Sequence, residues 1–399
     1  MMKKDWEINK LGDVCEIARG GSPRPIKDYI TTDEDGINWI KIGDTDPSGK
    51  YIYTTSEKIK PAGLKKSRYV EAGDFLLSNS MSFGRPYVLQ TNGCIHDGWL
   101  VLKNYQKSLY LDFFYYLLLS PNVQKQFEIE AKGSTVRNLN TEIVSNINVS
   151  YPPLEEQKRI VKILDEKFAQ LESLKANAQT NLQNAKDLFQ SQLTKAFSNT
   201  TWEKKRLGDI CSKIVDGTHN SPPNTKEGDY QYITAKNIKL SGIDLSDITY
   251  VTKEIHESIY SRCNPEKGDV LLIKDGATTG IAVVNELDYQ FSMLSSVALL
   301  KFDRNILDSY CLAYLLNSDE TYKRFRAKME GAAITRLTLV KIKDFEIPLP
   351  PLSEQKRIVE ELDALSEKVL QLQEIYTKQI ANCDELKQSL LQKAFEGEL

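Results

Sequence analysis

The ten residues PPLEEQKRIV, Pro152 to Val161, return as PPLSEQKRIV at 350–359. Followed onward, 152–197 and 350–395 are identical at 20 of 46 aligned positions, and both end in Lys-Ala-Phe. Proline disfavours helix in the residue before it and is tolerated in a helix's first turn, so each Pro-Pro is a boundary. Neither Gly nor Pro occurs between 154 and 197 or between 352 and 396. The stretch therefore predicts two helices of about 40 residues, near 60 Å each.

The second helix carries Leu362, Leu365, Val369, Leu372, Tyr376, Gln379, Cys383, Leu386 and Leu390 at alternating spacings of three and four. That is a coiled-coil seam. The matching positions of the first are Leu164, Lys167, Leu171, Leu174, Ala178, Asn181, Ala185, Leu188 and Gln192, a weaker seam that Phe168, Leu182 and Phe189 widen. Two stripes of matched length on a duplicated unit predict that the helices pair. The first leads straight into the second copy of the unit, so they run antiparallel. The residues expected to carry the pairing are Leu164, Leu171, Leu174, Leu188, Leu362, Leu365, Val369, Leu372 and Leu386.

Working outward, the rest of the chain is duplicated too. WEINKLGDVC at 6–15 answers WEKKRLGDIC at 202–211, and Gly73-Asp74-Phe75-Leu76-Leu77 answers Gly268-Asp269-Val270-Leu271-Leu272. A repeat of this period is a duplication, not a solenoid. The order is head (1–151), helix (152–200), head (201–349), helix (350–399). Identities in the heads are scattered. Short β-rich runs between Gly, Asn, Asp and Ser turns predict strands in each head. Apolar spacing predicts one helix at about 111–130 and another near 307–328. The expected class is α+β: two heads, each a curved β-rich sheet with a helical subdomain, alternating with two paired helices under an internal pseudo-two-fold repeat.

Three pairs of Gly-hinged loops stand out in the heads. Gly20–Pro25 lies opposite Asp216–Pro222, Ser78–Arg85 opposite Lys274–Gly280, and Gly133–Asn138 opposite Gly331–Arg336. Short donors and acceptors suit base edges and phosphates, with Arg matching guanine and Asn matching adenine. The candidates for DNA contact are Ser22, Arg24, Asn79, Ser80, Ser82, Arg85, Ser134, Thr135, Arg137 and Asn138 in head one. In head two they are Thr218, His219, Asn220, Lys274, Thr278, Thr279, Thr335 and Arg336. Such loops are also ordinary turn chemistry. Lys323-Arg324-Phe325-Arg326 with Lys328 is the most basic cluster, suited to phosphates or simply to a solvated helix face.

Composition narrows the class. The 399 residues are 41% hydrophobic and 27% charged, which excludes a disordered chain. The longest apolar stretch is Phe113–Leu119, far short of the about 20 residues a bilayer span needs. The start MMKKDWEINK has no apolar run of the secretory kind, so a cytoplasmic protein is expected. Six cysteines without a C-x-x-C pair, and three histidines, offer no zinc pattern; reduced, mostly buried thiols are expected. Net charge is −3, of which −4 falls on 350–399, so the heads are near neutral and a basic face within them is not excluded. No G-x-G cofactor loop and no credible nucleophile, base or metal set is found. The expectation is a non-catalytic protein.

Taken together, the W-x4-LGD starts, the GD-x-LL strands, the two PPL-x-EQ-x-R-I-V openings, the duplicated order and the closing KAFEGEL resemble the specificity subunit (HsdS) of type I restriction–modification enzymes. The resemblance covers essentially all 399 residues. It implies two target recognition domains, each reading one half of a split site in double-stranded DNA, and helices that act as spacer and dock two methyltransferase (HsdM) subunits. Restriction (HsdR) subunits would join that core. S-adenosylmethionine, ATP and Mg would belong to those partners. Head two has Gly331-Ala332-Ala333 where head one has Gly-Ser-Thr, which puts its third loop's contacts in doubt. Two other readings stand beside this one: the specificity subunit of a related split-site system whose partner fuses nuclease and methylase, and a coiled-coil adaptor that binds proteins.

Overall fold

The computed structural model describes residues 5–79, 83–131, 138–328 and 336–399. It divides into two compact units, Met1–Ala178 with Lys378–Leu399, and Gln179–Thr377. Each holds one head and a stretch of both long helices.

Each head begins by closing on its own end. Glu7–Lys10 pairs antiparallel with Asn148–Tyr151, and Lys204–Arg206 with Glu346–Pro348. The Leu-Gly-Asp after each first strand is a single helical turn, Leu11–Val14 or Leu207–Ile210, with its leucine fully buried. The leucine N–H donates across the closure, Leu11 to Ile147 O at 2.8 Å and Leu207 to Phe345 O at 2.9 Å. The repeated motif is therefore the lock between the two ends of a head.

The Gly-Asp motifs turn the chain into the central strands. Gly73 and Gly268 have φ of +96° and +89°, which L side chains rarely adopt. The Asp74 and Asp269 carboxylates accept from the N–H groups of Glu71 at 2.9 Å and Glu266 at 2.7 Å, closing the turn. The next strands, Phe75–Ser78 and Val270–Ile273, are buried along their whole length. Side chains alternate across a strand, so two faces mean two cores. Phe75 and Leu77 pack with Phe113 and Phe114 of the helical subdomain, whereas Leu76 packs with Ile40, Val70 and Ile95 of a second sheet. Val270 and Leu272 face Leu312 and Phe325, whereas Leu271 and Ile273 face Ile233 and Met293. Each such side chain stabilises the head by roughly 1.5–3 kcal/mol.

Head one has two five-stranded sheets. The central one runs Glu16–Arg19, Trp99–Lys103, Phe75–Ser78, Pro86–Leu89, Tyr51–Ile52, antiparallel except for the last pair. Head two repeats this with a four-stranded sheet, in the order Cys211–Asp216, Val297–Phe302, Val270–Ile273, Ala282–Val284, and a three-stranded one.

The single helix expected in each head is two. Leu111–Leu119 stops at Ser120, whose backbone is extended and whose hydroxyl caps Pro121–Glu130 by accepting from Val123 N–H. Pro121 forces that break, since the residue before proline avoids the helical region. In head two, Ser309–Leu316 and Asp319–Lys328 part at Asn317-Ser318. There the Asn317 side chain leaves the helix to pair with the backbone of Ala282, accepting at 2.9 Å and donating at 2.7 Å.

The long helices are Leu154–Ala196, 43 residues, and Leu352–Glu396, 45 residues. Their shared EQ motif has a structural meaning that spacing alone did not disclose. Gln157 is fully buried. It accepts from Tyr110 N–H at 2.8 Å and donates to Ser108 O and Pro152 O at 2.8 Å each. Gln355 does the same with Asp308 N–H, Ile306 O and Pro350 O at 2.7, 2.9 and 2.8 Å. One side chain thereby ties the helix start to the loop ahead of the helical subdomain. Tyr116 donating to Asp165, and Tyr314 donating to Asp363, repeat a second tie further along each helix.

Within the first unit the helices run antiparallel, as Arg159–Leu399 O at 2.6 Å, Glu172–Lys387 at 2.8 Å and Lys175–Asp384 at 2.6 Å require. In the second, Leu193 packs with Ile358 and Leu362. The residues expected to carry the pairing divide by burial. Leu164, Leu362 and Val369 are buried, and Leu171 and Leu365 are partly so. Leu174, Leu188, Leu372 and Leu386 are not in the seam: they are between 37% and 58% exposed. The alternate positions lie one residue later, at Phe168, Lys175, Leu182 and Phe189, and at Ser366, Gln373, Ile380 and Lys387. The heads decide this. Phe168 packs edge-on against Tyr116 with centroids 5.5 Å apart, and Phe189 against Tyr314 at 6.2 Å, so each helix is rotated toward its head as well as toward its partner.

Candidate nucleic-acid interface

In each head the first loop leaves an edge strand of the central sheet, Glu16–Arg19 or Cys211–Asp216, where a glycine lets two backbones touch. A Cβ on Gly20 would lie 2.1 Å from His96 O, and one on Gly217 1.8 Å from Met293 O. The second loop leaves the central strand itself. The third returns to meet it: Leu139 N–H donates to Asn79 O at 2.9 Å, and Leu337 N–H to Lys274 O at 2.8 Å. The described parts of all three loops thus gather at the same edge of each head.

In head one they gather on Asp97, which the sequence patterns did not single out. Its carboxylate accepts from Ser22 Oγ at 2.8 Å and from Arg24 at 3.3 Å, while its backbone oxygen accepts from Asn79 Nδ2 at 2.8 Å and Arg19 Nε at 3.1 Å. The Ser22 hydroxyl is the main cause holding this carboxyl below the usual range. Beside it is a cleft of about 1140 Å³, lined by Arg19, Arg24, Trp39, Lys41, His96 and Asn138 among others. Burial holds His96 below its ordinary pKa, against the opposing pull of Asp97 and Asp44. The only visible signal for this corner was the His96-Asp97-Gly98 triplet, since histidine is rare in the chain.

The head-one candidates divide accordingly. Ser22, Arg24 and Asn138 lie at this edge, and Arg24 projects from it. Asn79 is buried and spends its amide on Asp97, so it positions the loop and does not face outward. Arg85 is folded back, its guanidinium over the Tyr87 ring and one nitrogen donating to Gly49 O at 3.3 Å. Ser80, Ser82, Ser134, Thr135 and Arg137 lie outside the described residues.

Head two has a charged network at the same edge. Lys274, expected as a contact, is instead 5% exposed at its side chain. It sits 3.3 Å from the Asp216 carboxylate and 3.2 Å from that of Asp275. Each carboxylate in turn faces basic side chains nearer solvent. Asp275 holds Arg336 at 2.9 Å, and Asp216 faces Arg262 and His219 at 3.6 Å each. The lysine ammonium is tolerated there because two carboxylates replace its water. Thr279 is also buried, donating to Gly276 O at 2.7 Å to close its turn. Thr218 is half-buried and donates to Asn220 O at 3.1 Å, whereas His219, Asn220, Thr278 and Arg336 are exposed. Thr335 lies outside the described residues. In the basic cluster Phe325 is core, Arg324 lies over Phe345 while donating to Glu346 O at 2.8 Å, and Lys323 is exposed; the side chains of Arg326 and Lys328 lie outside those described.

The sequence profile of the family described as type I restriction modification DNA specificity domain matches twice, at 3–182 and 199–381. The chain belongs to that family. Each match takes in one head and the start or most of the long helix after it. Among curated relatives, the MjaVIII specificity subunit of a type I restriction enzyme from Methanocaldococcus jannaschii is 23% identical, over 99% of this chain and 93% of its own. The EcoKI specificity subunit from Escherichia coli is 21% identical, over 100% and 90%. A solved chain from a study of complex assembly and conformational transition of the type I R-M system covers all of both chains at 22% identity with a TM-score of 0.79. The HsdS subunit from Thermoanaerobacter tengcongensis, also 22% identical, gives 0.61 and covers 100% and 98%. The type I specificity fold is thus present from end to end, and the chain is a specificity subunit whose role is DNA sequence recognition. No helix among the described residues is long and apolar enough to cross a membrane.

Proposed function

We propose that the two heads read the two halves of a split site in double-stranded DNA, head one through the edge around Asp97 and head two through the edge around Asp216 and Asp275. The observation that carries this is the matched junction of loops two and three, Leu139 with Asn79 and Leu337 with Lys274, which makes one edge of each head the place where its loops are displayed. Phosphate contacts would set the register, and short loop side chains would read base edges. The heads enter the major groove at separate half-sites, about one helical turn apart in the simplest arrangement.

The long helices serve the shared task. Leu174 and Leu372 occupy matching positions of the repeat, as do Leu188 and Leu386, and all four are exposed. Two equivalent apolar patches suit two copies of one partner, the methyltransferase subunit. Restriction subunits join that core, and S-adenosylmethionine, ATP and Mg are used by these partners. The chain itself contributes binding and no catalytic group, and it acts in the cytoplasm.

Methylation mapping tests this in cells carrying the chain with its neighbouring methyltransferase. The expected result is a new split motif, modified on both strands and lost without this chain. No new methylation from an assembled complex would refute it.

A further inference from the structure

The network in head two leaves one side chain set apart from the rest. Arg336 is 59% exposed at its side chain, yet both ends of it are fixed. Its backbone forms an antiparallel bridge with Asp275, and the next residue, Leu337, is fully buried and bonded to Lys274 O at 2.8 Å. Its side chain is engaged through Nε, which donates to Asp275 Oδ1 at 2.9 Å. Asp275 is itself held by buried Lys274 at 3.2 Å, and Lys274 by Asp216 at 3.3 Å. A guanidinium fastened by Nε keeps its two terminal nitrogens outside that pair, as a fork of parallel donors. Most of the ordering entropy of a long side chain is already lost before a ligand arrives.

We propose that Arg336 is a specificity-determining residue that reads guanine, its terminal nitrogens donating to O6 and N7 in the major groove. This rests on the DNA-reading role proposed above and adds a base to it. Two things favour a base over a phosphate. A phosphate contact needs charge and little geometry, whereas this arginine is braced through three residues. The position is also one where the heads differ in kind: its counterpart just before the same loop junction is Asn138, and asparagine matches adenine where arginine matches guanine. Lys274 and Asp275 are then positioning residues, which accounts for a buried lysine in a loop that faces the ligand.

The test is methylation mapping of wild type, Arg336→Ala and Arg336→Lys, each with the methyltransferase. In wild type the head-two half-site contains a G·C pair at the position Arg336 reads. Arg336→Ala relaxes that position alone, with discrimination falling roughly 5- to 150-fold, while the other half-site is unchanged. Arg336→Lys keeps the charge but loses the fork, and relaxes the same position. Three outcomes overturn the proposal. One is a uniform loss of methylation with no change of motif, rescued by Arg336→Lys, which marks a phosphate contact. The second is an unchanged motif in both variants, and the third a head-two half-site with no G·C pair. A wild-type complex that assembles but methylates no motif refutes the DNA-reading role itself, and this assignment with it.

Discussion

Gln157→Ala isolates what the repeated EQ motif does. The side chain satisfies three buried backbone groups: Tyr110 N–H, Ser108 O and Pro152 O. Truncation leaves an unpaired donor, at about 1–3 kcal/mol, and weakens two carbonyls at about 0.5–1.5 kcal/mol each. The expected loss is about 2–6 kcal/mol. For a unit of this size that lowers Tm by roughly 4–24 °C, at about 2–4 °C per kcal/mol. Since Tyr110 caps Leu111–Leu119, the loss begins at the start of that helix. Amide hydrogen exchange reports the site directly: protection at Tyr110 should collapse, while that at Asp308, its counterpart beneath Gln355, stays. Gln355→Ala should show the reverse. A Gln157→Ala protein melting within a degree of wild type, with Tyr110 still protected, would refute the clamp.

Leu164→Ala should cost about 2–5 kcal/mol, because that side chain is fully buried, whereas Leu174→Ala should change stability by less than about 0.5 kcal/mol and instead weaken co-purification with the methyltransferase. Lys274→Met should destabilise head two by about 3–5 kcal/mol in urea unfolding, since it removes the buried cation between two carboxylates that are 4% and 15% exposed. His96 contributes pH dependence of a definite sign. Its folded pKa lies below the ordinary value of about 6.5, so below that pH the unfolded chain binds the extra proton. Its share of stability is complete above that value and is lost as pH falls through it. The Tm of wild type should drop over that window more steeply than that of His96→Gln. Removing one heptad from each long helix should shorten the spacer in the methylated motif while both half-sites keep their bases; an unshortened spacer would end the idea that the helices measure it.

Much of this molecule is written locally and can be read without coordinates. Duplication is a property of the string. The long helices follow from Pro-Pro boundaries and an absence of breakers, and the turns from Gly-Asp. The three loop pairs announce themselves by composition, and the structure gathers the described parts of each set at one edge. Other features are not local. Leucines at 171 and 174 look alike in a heptad, yet only the first packs, because the Tyr116 and Tyr314 sides of the heads rotate the seam by one residue. Asn79 and Lys274 sit in loops of the right composition, but their side chains turn inward to Asp97 O and to Asp216. Asp97 belongs to no predicted loop and still organises head one. Sequence alone determined the architecture and which loops are candidates for recognition, since periodicity and turn chemistry act between near neighbours. Tertiary structure alone decided which of their residues face outward, because burial and charge pairing are settled by partners tens of residues away.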